Sequence, residues 1–224
     1  MSENIELMSR EELQSEVKRL RSLSLSHVTP GGREAKSKKA KAGREMDYTK
    51  YAYRPVALKV AYLGYNYYGL AAQETDTIVT VESLLFQALE RSKLVERRGL
   101  CGWTRCGRTD KGVSSFAQIC SLFIRSNLPV GTPGTISYQA LQDGQVGEDV
   151  CTETEGELPF IAILNRLLPK DIRIIAWSPI KPSFNARFDC KHRHYKYFFH
   201  GRGLDIEKMK EGAARFLGIS HTFL

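Results

Sequence analysis

The chain has 224 residues, about one and a half times the ~150 residues of a typical domain, so it holds one sizeable core with appendages or two small domains. Hydrophobic residues make up 42% and charged residues 26%, which excludes collagen-like and wholly disordered classes. The net charge is +8, and a basic body of this kind suits a polyanionic partner, of which nucleic acid is the commonest.

The N-terminal MSENIELMSREE lacks the basic start and apolar core of a secretory signal. No stretch approaches the ~18 consecutive apolar residues of a membrane span, and a soluble intracellular protein is expected. Residues 1–25 read as a short helix or coiled coil, with Ser9 and Glu12 in capping-box spacing and Leu13, Val17, Leu20 and Leu23 on one stripe. Residues 26–54, containing KSKKAKAGR over 36–44, read as a basic flexible linker that serves as a phosphate arm, an import signal or a solvated tail. Folding is expected to begin near Pro55 with a strand, VALKVAYL (56–63). A Gly/aromatic loop (64–73) follows, and Thr80 caps a helix with Val81, Leu84, Leu85, Ala88 and Leu89 inward. AQICSLFI (117–124) is the next strand.

Residues 131–158 hold six acidic and no basic side chains, and without them the rest carries 33 basic against 19 acidic residues. This acidic insertion is long enough that function or disorder is its expected explanation. FIAILNRLL (160–168) is a helix stopped by Pro169, and 172–177 and 193–200 are strands. Asp205 caps a last helix with Ile206, Met209, Ala213 and Phe216 inward. The fold class expected is α+β. With the insertion removed, the order is a ferredoxin-like split βαβ, an antiparallel sheet with helices on one face.

Two clusters could carry chemistry. Asp110 lies in CGRTDKGV (106–113), with Arg108 before it and Lys111 and Gly112 after it. Flanking cations favour an ionised carboxylate, which can act as nucleophile or base; the spacing also fits a plain turn. The second cluster is FNARFDCKHRHYKY (184–197), where Arg187, Lys191, Arg193 and Lys196 interleave with Phe188, Tyr195 and Tyr197. Cations for phosphates and rings for bases are what splayed-out RNA requires; a core strand with its cations in water fits the same alternation. Five cysteines without a C-x-x-C pair, and His192 and His194 two apart, match no metal spacing, so no metal is expected. No phosphate-loop or dinucleotide fingerprint occurs, and no cofactor is expected.

Taken together, CGRTDKGVSSFAQ (106–118), SFNARFDCKHRHYKYF (183–198) and YGLAAQ (68–73) resemble the TruA family of tRNA pseudouridine synthases, over about residues 55–222. The N-terminal helix, the insertion and LNRLLPKDIRIIAW (164–177) are most similar to the eukaryotic branch acting on uridines 38 and 39 of the anticodon arm. The resemblance implies that Asp110 is the catalytic aspartate of a cofactor-free isomerisation. It implies that Tyr195 stacks on the uracil and that Arg108 helps extrude the nucleotide or holds its phosphate. Arg187, Lys191, Arg193 and Lys196 are then candidate RNA contacts. tRNA is the implied partner, a homodimer is allowed, and the nucleus or cytoplasm is the compartment. Family members carry a second half and a motif close to GTHDF where this chain has Gly218-Ile-Ser-His-Thr-Phe-Leu224, with Thr222 at the aspartate position. The second subdomain is therefore expected to be absent, and a tRNA-binding fragment without turnover is the alternative reading.

Overall fold

The computed structural model describes residues 46–73, 78–152 and 154–218, all within the unit Met46–Leu224. The helix expected over 1–25, the linker as far as residue 45, and Thr222 lie outside the described residues.

The long first strand, β1 (Ala52–Tyr62), organises everything else. It begins inside the segment expected to be linker, because Tyr53 and Arg54 already have cross-strand partners in Arg125 and Ile124. Its neighbour β3 (Ser115–Ser126) runs antiparallel in the register Val56↔Leu122 and Leu58↔Cys120. Outside β3 lies a two-residue strand, β2 (Thr104–Arg105). On the far edge of β1, β4 (Ile136–Ser137) pairs with Ala52 and Tyr53, and β5 (Ile172–Pro179) with Val56 to Tyr62. Pro55 has no N–H to donate, and it sits at the gap where that partner changes from β4 to β5. The result is an open antiparallel five-stranded sheet. The α+β class is as expected.

Among the described residues four α-helices accompany it: α1 (Val81–Arg91), α2 (Tyr138–Asp143), α3 (Phe160–Leu167) and α4 (Ile206–Ala214). Thr80 and Ser83 form a reciprocal capping box that starts α1. Alternation along β1 sends Val56, Leu58, Val60 and Tyr62 to one side. There they share a core with Cys120, Leu122, Ile124, Ile172 and Ile174, and with Leu85 and Leu89 of α1 and Phe160 and Leu164 of α3. Asn165 fixes α3 to β5 by bonding both the N–H and the C=O of Ile174, at 2.8 and 2.9 Å. Burying each of these large apolar side chains is worth about 1.5–3 kcal/mol.

The acidic insertion is built onto the end of β1. It supplies β4 and α2, and Tyr138 meets Tyr53 with ring centroids 6.0 Å apart. Its Glu157 forms a buried ion pair with Arg54 at 2.9 Å and accepts hydrogen bonds from Ser126 Oγ and the N–H groups of Asn127 and Leu158. Burial works to raise this carboxyl, but those bonds and Arg54 together hold it below the ordinary carboxylate range.

Two expectations are corrected. Residues 193–200 form no strand, and Tyr195, Tyr197 and Phe198 are 76%, 88% and 79% exposed. Alternation makes the segment β-prone, yet a strand forms only against a neighbour that completes its backbone ladder. Likewise α4 forms where Asp205 caps it, but none of its residues is buried, and Ile206, Met209, Ala213 and Phe216 all face solvent.

Candidate active site

The turn that carries Asp110 is shaped by neighbours rather than by its own sequence. The Val113 N–H closes it on the Asp110 carbonyl at 3.2 Å. From below, the 64–70 loop supports it at several points. Leu70 N–H donates to Thr109 O at 3.0 Å, Gly112 N–H to Tyr67 O at 3.2 Å, and Gly64 N–H to Ser114 Oγ at 2.9 Å. Tyr62 and Thr109 hydroxyls share a 2.6 Å hydrogen bond, and burial pushes the Tyr62 phenol up to about 12. Two glycines permit this contact. A Cβ on Gly64 would stand 2.0 Å from Val113 O, and one on Gly69 (φ +95°) would stand 2.7 Å from Thr109 O. The Asp110 and Arg108 side chains are exposed, and Lys111 Nζ lies 4.3 Å above the Tyr68 ring.

Glu82, in the first turn of α1, is a residue the sequence reading passed over. It is fully buried, and its carboxylate takes Arg105 at 2.6 Å and Arg98 at 3.3 Å. It also accepts the Ala72 N–H at 2.6 Å and the Trp103 indole N–H. One carboxylate thereby ties the 64–73 loop, α1 and the strand entering the Asp110 turn. A buried acid costs several kcal/mol unless paired and hydrogen-bonded, and here four donors converge on it. The only sequence signal was an acid on the apolar face of an otherwise regular helix.

The second cluster meets the first across a cleft of about 720 Å³. Arg108, Thr109 and Phe116 line it from the turn and β3, and Lys191, Arg193, Tyr195 and Lys196 from the basic segment. Asp110 is one residue beyond this wall. Arg187 and Phe188 are exposed beside it, the guanidinium 5.5 Å from the ring centre. Arg193 reaches back from the segment to Cys106 O, with Nε at 2.8 Å and Nη2 closer still, and Nη2 also donates to Arg187 O at 3.3 Å. The structure thus brings Arg108, Tyr195, Lys191, Arg193 and Lys196 to one cleft. Among the described residues no group of three His, Cys, Asp or Glu side chains could hold a metal ion, and no helix is long and apolar enough to cross a membrane.

No protein-family model matches the chain. Curated relatives do. A human protein named tRNA pseudouridine(38/39) synthase is 42% identical over 95% of this chain and 42% of its own length. The yeast protein of that name is 43% identical over 82% of this chain and 39% of its own. An archaeal tRNA pseudouridine synthase A, from Methanothermobacter thermautotrophicus, is 32% identical over 76% of this chain and half of its own length. The chain belongs to the TruA family of tRNA pseudouridine synthases. Within that family the human and yeast relatives carry the (38/39) name, and the chain spans about two fifths of their length.

Proposed function

We propose that this chain is the aspartate-bearing part of an enzyme that isomerises uridine to pseudouridine in the tRNA anticodon arm, at positions 38 and 39 as its relatives' name states. Its scaffold is read as the ferredoxin-like plan. β1 and β2 each pair antiparallel with β3 between them, so they run parallel, with α1 crossing over. The observation that carries the functional reading is the meeting of the two motifs: Arg108 and Thr109 on one wall of the cleft, Tyr195 and the lysines on the other.

Asp110 acts on the flipped nucleotide. The uridine C1′–N1 bond breaks, the uracil turns, and a C1′–C5 bond forms; C5 loses its proton and N1 gains one. Atoms and electrons balance without a redox partner. Base-modifying enzymes must take the target out of its stack, and Arg108 serves there by holding the displaced phosphate while Tyr195 stacks on the uracil. Lys191, Lys196 and Arg187 contribute charge toward the RNA backbone.

One observation favours a second reading, a tRNA-binding part without turnover: the segment bearing Tyr195 lies exposed over its whole length from residue 191 to 200. The same exposed rings favour association with another protein surface, a homodimer included. Tritium release from tRNA labelled at uridine C5 separates the two. Release that disappears in Asp110→Ala, with tRNA affinity retained, supports the enzyme. No release from a folded, tRNA-binding chain supports the binding reading.

A further inference from the structure

We propose that Arg193 is a positioning residue that holds the Tyr195 segment against the Asp110 turn, and not one of the RNA phosphate contacts. The proposal rests on the pseudouridine synthase reading for its effect on turnover, but not for its structural content.

Residues 188–200 have no ladder to hold them. Among the described residues, the hydrogen bonds that tie them to β2 and the loop after it all come from Arg193. Its target is well chosen. Cys106 and Gly107 are the exit from β2 into the Asp110 turn, and β3 holds them from the other side. The Cys106 N–H donates to Ile119 O at 2.9 Å, and Gln118 Nε2 donates to Gly107 O at 2.7 Å. The Arg193 stem passes over Gly107, where a Cβ would stand in ordinary contact, 3.4 Å from Nε. Arg193 therefore bears on the peptide two residues before Arg108, while its own chain delivers Tyr195 two residues later.

The donor count argues against a phosphate role. Nε and Nη2 are both spent on carbonyl oxygens, which removes the bidentate grip that makes arginine a strong phosphate ligand. Nη2 bridges the Cys106 and Arg187 carbonyls, joining the exit of β2 and the basic segment through one rigid group. A lysine carries the same charge but has no planar fork with which to reproduce that bridge. Lys191 and Lys196 line the same cleft and make no such bonds within the described chain, so they serve as the comparison.

The test uses the full chain with Arg193→Ala, Arg193→Lys and Lys196→Ala. Turnover is read by tritium release, tRNA affinity across a salt series, and amide exchange by mass spectrometry over residues 104–112. Misplacing a reacting group by about 1 Å costs on the order of 100-fold. Both Arg193 variants should therefore lose about 10- to 100-fold in kcat with KM nearly unchanged. Their log K against log salt slope should match the parent, whereas Lys196→Ala should lower it by about one. Exchange over 104–112 should quicken in both Arg193 variants and not in Lys196→Ala. Rescue by Arg193→Lys, or a salt slope lowered by Arg193→Ala, would overturn the proposal. A chain with no turnover at all would count against the enzyme reading alone, and the salt slope and exchange would still decide the role of Arg193, with unchanged exchange sinking it.

Discussion

The two walls of the cleft are held by opposite means. On one side, the Asp110 turn is fastened by backbone bonds from Leu70 and Gly112, by the Tyr62–Thr109 hydroxyl pair, and by two glycines that let the 64–70 loop touch it. On the other, the segment with Tyr195 is exposed, and among the described residues Arg193 is the side chain of that segment that hydrogen-bonds to the body. The difference teaches where pre-organisation resides. The turn that carries Asp110 is placed by the folded body of this chain. The wall that carries Tyr195 is tied to the body, among the described residues, through the surface side chain of Arg193, and its rings are exposed.

That contrast can be broken or sharpened by mutation. The largest effect expected is from Asp110→Ala: complete loss of tritium release with tRNA affinity within about twofold, because the side chain is exposed and exposed substitutions cost little stability. Next, Glu82→Ala should destabilise the fold by about 3 kcal/mol in a urea titration, since it orphans the Trp103 indole and the Ala72 N–H and unpairs two arginines. Gly64→Ala should cost about 1–3 kcal/mol, the usual range for overpacking. It should also lower turnover, because Val113 O must move to admit the Cβ. If Gly64→Ala were neutral in both, the Asp110 turn would not be the rigid wall described.

A smaller effect concerns pH. The Glu157 carboxyl is held below its ordinary value in the folded chain. Its contribution is therefore present above the unfolded value and lost as pH falls through the folded one. Unfolding measured from pH 6 downward should show wild type losing stability below about pH 4.3, the reference glutamate value, with Glu157→Gln losing less over the same range. The smallest effect is expected at the loose wall. Tyr195→Ala should change stability by no more than about 0.5 kcal/mol, as an exposed ring should. A loss of more than that would mean the segment is packed, and the contrast between the walls would fail.

Much of this is legible in the amino-acid sequence. Periodicity placed β1, α1, β3, α3 and β5, because each has a neighbour against which its apolar side packs, and pattern then equals structure. The Thr80 cap was readable from a local hydrogen bond. The same reasoning failed at 193–200 and on α4, where the apolar pattern exists but nothing among the described residues covers it. Residues 52–54 were missed because one charged residue and a proline mask a strand that the Glu157 pair and the change from β4 to β5 make tenable.

By itself, the sequence determined the chemical repertoire: an aspartate flanked by cations on a tight turn, a distant run of rings and cations, and the motifs that place the chain in its family. Those depend on residue identity and short spacing, which a linear chain displays in full. Only the tertiary structure decided that Arg108 and Tyr195 share one cleft, that Glu82 is the buried clasp behind the turn, and that Arg193 grips the Cys106 carbonyl. Each of these is a contact between segments far apart in sequence, 87 residues in the case of Arg193 and Cys106, and no local propensity encodes which carbonyl a guanidinium will find.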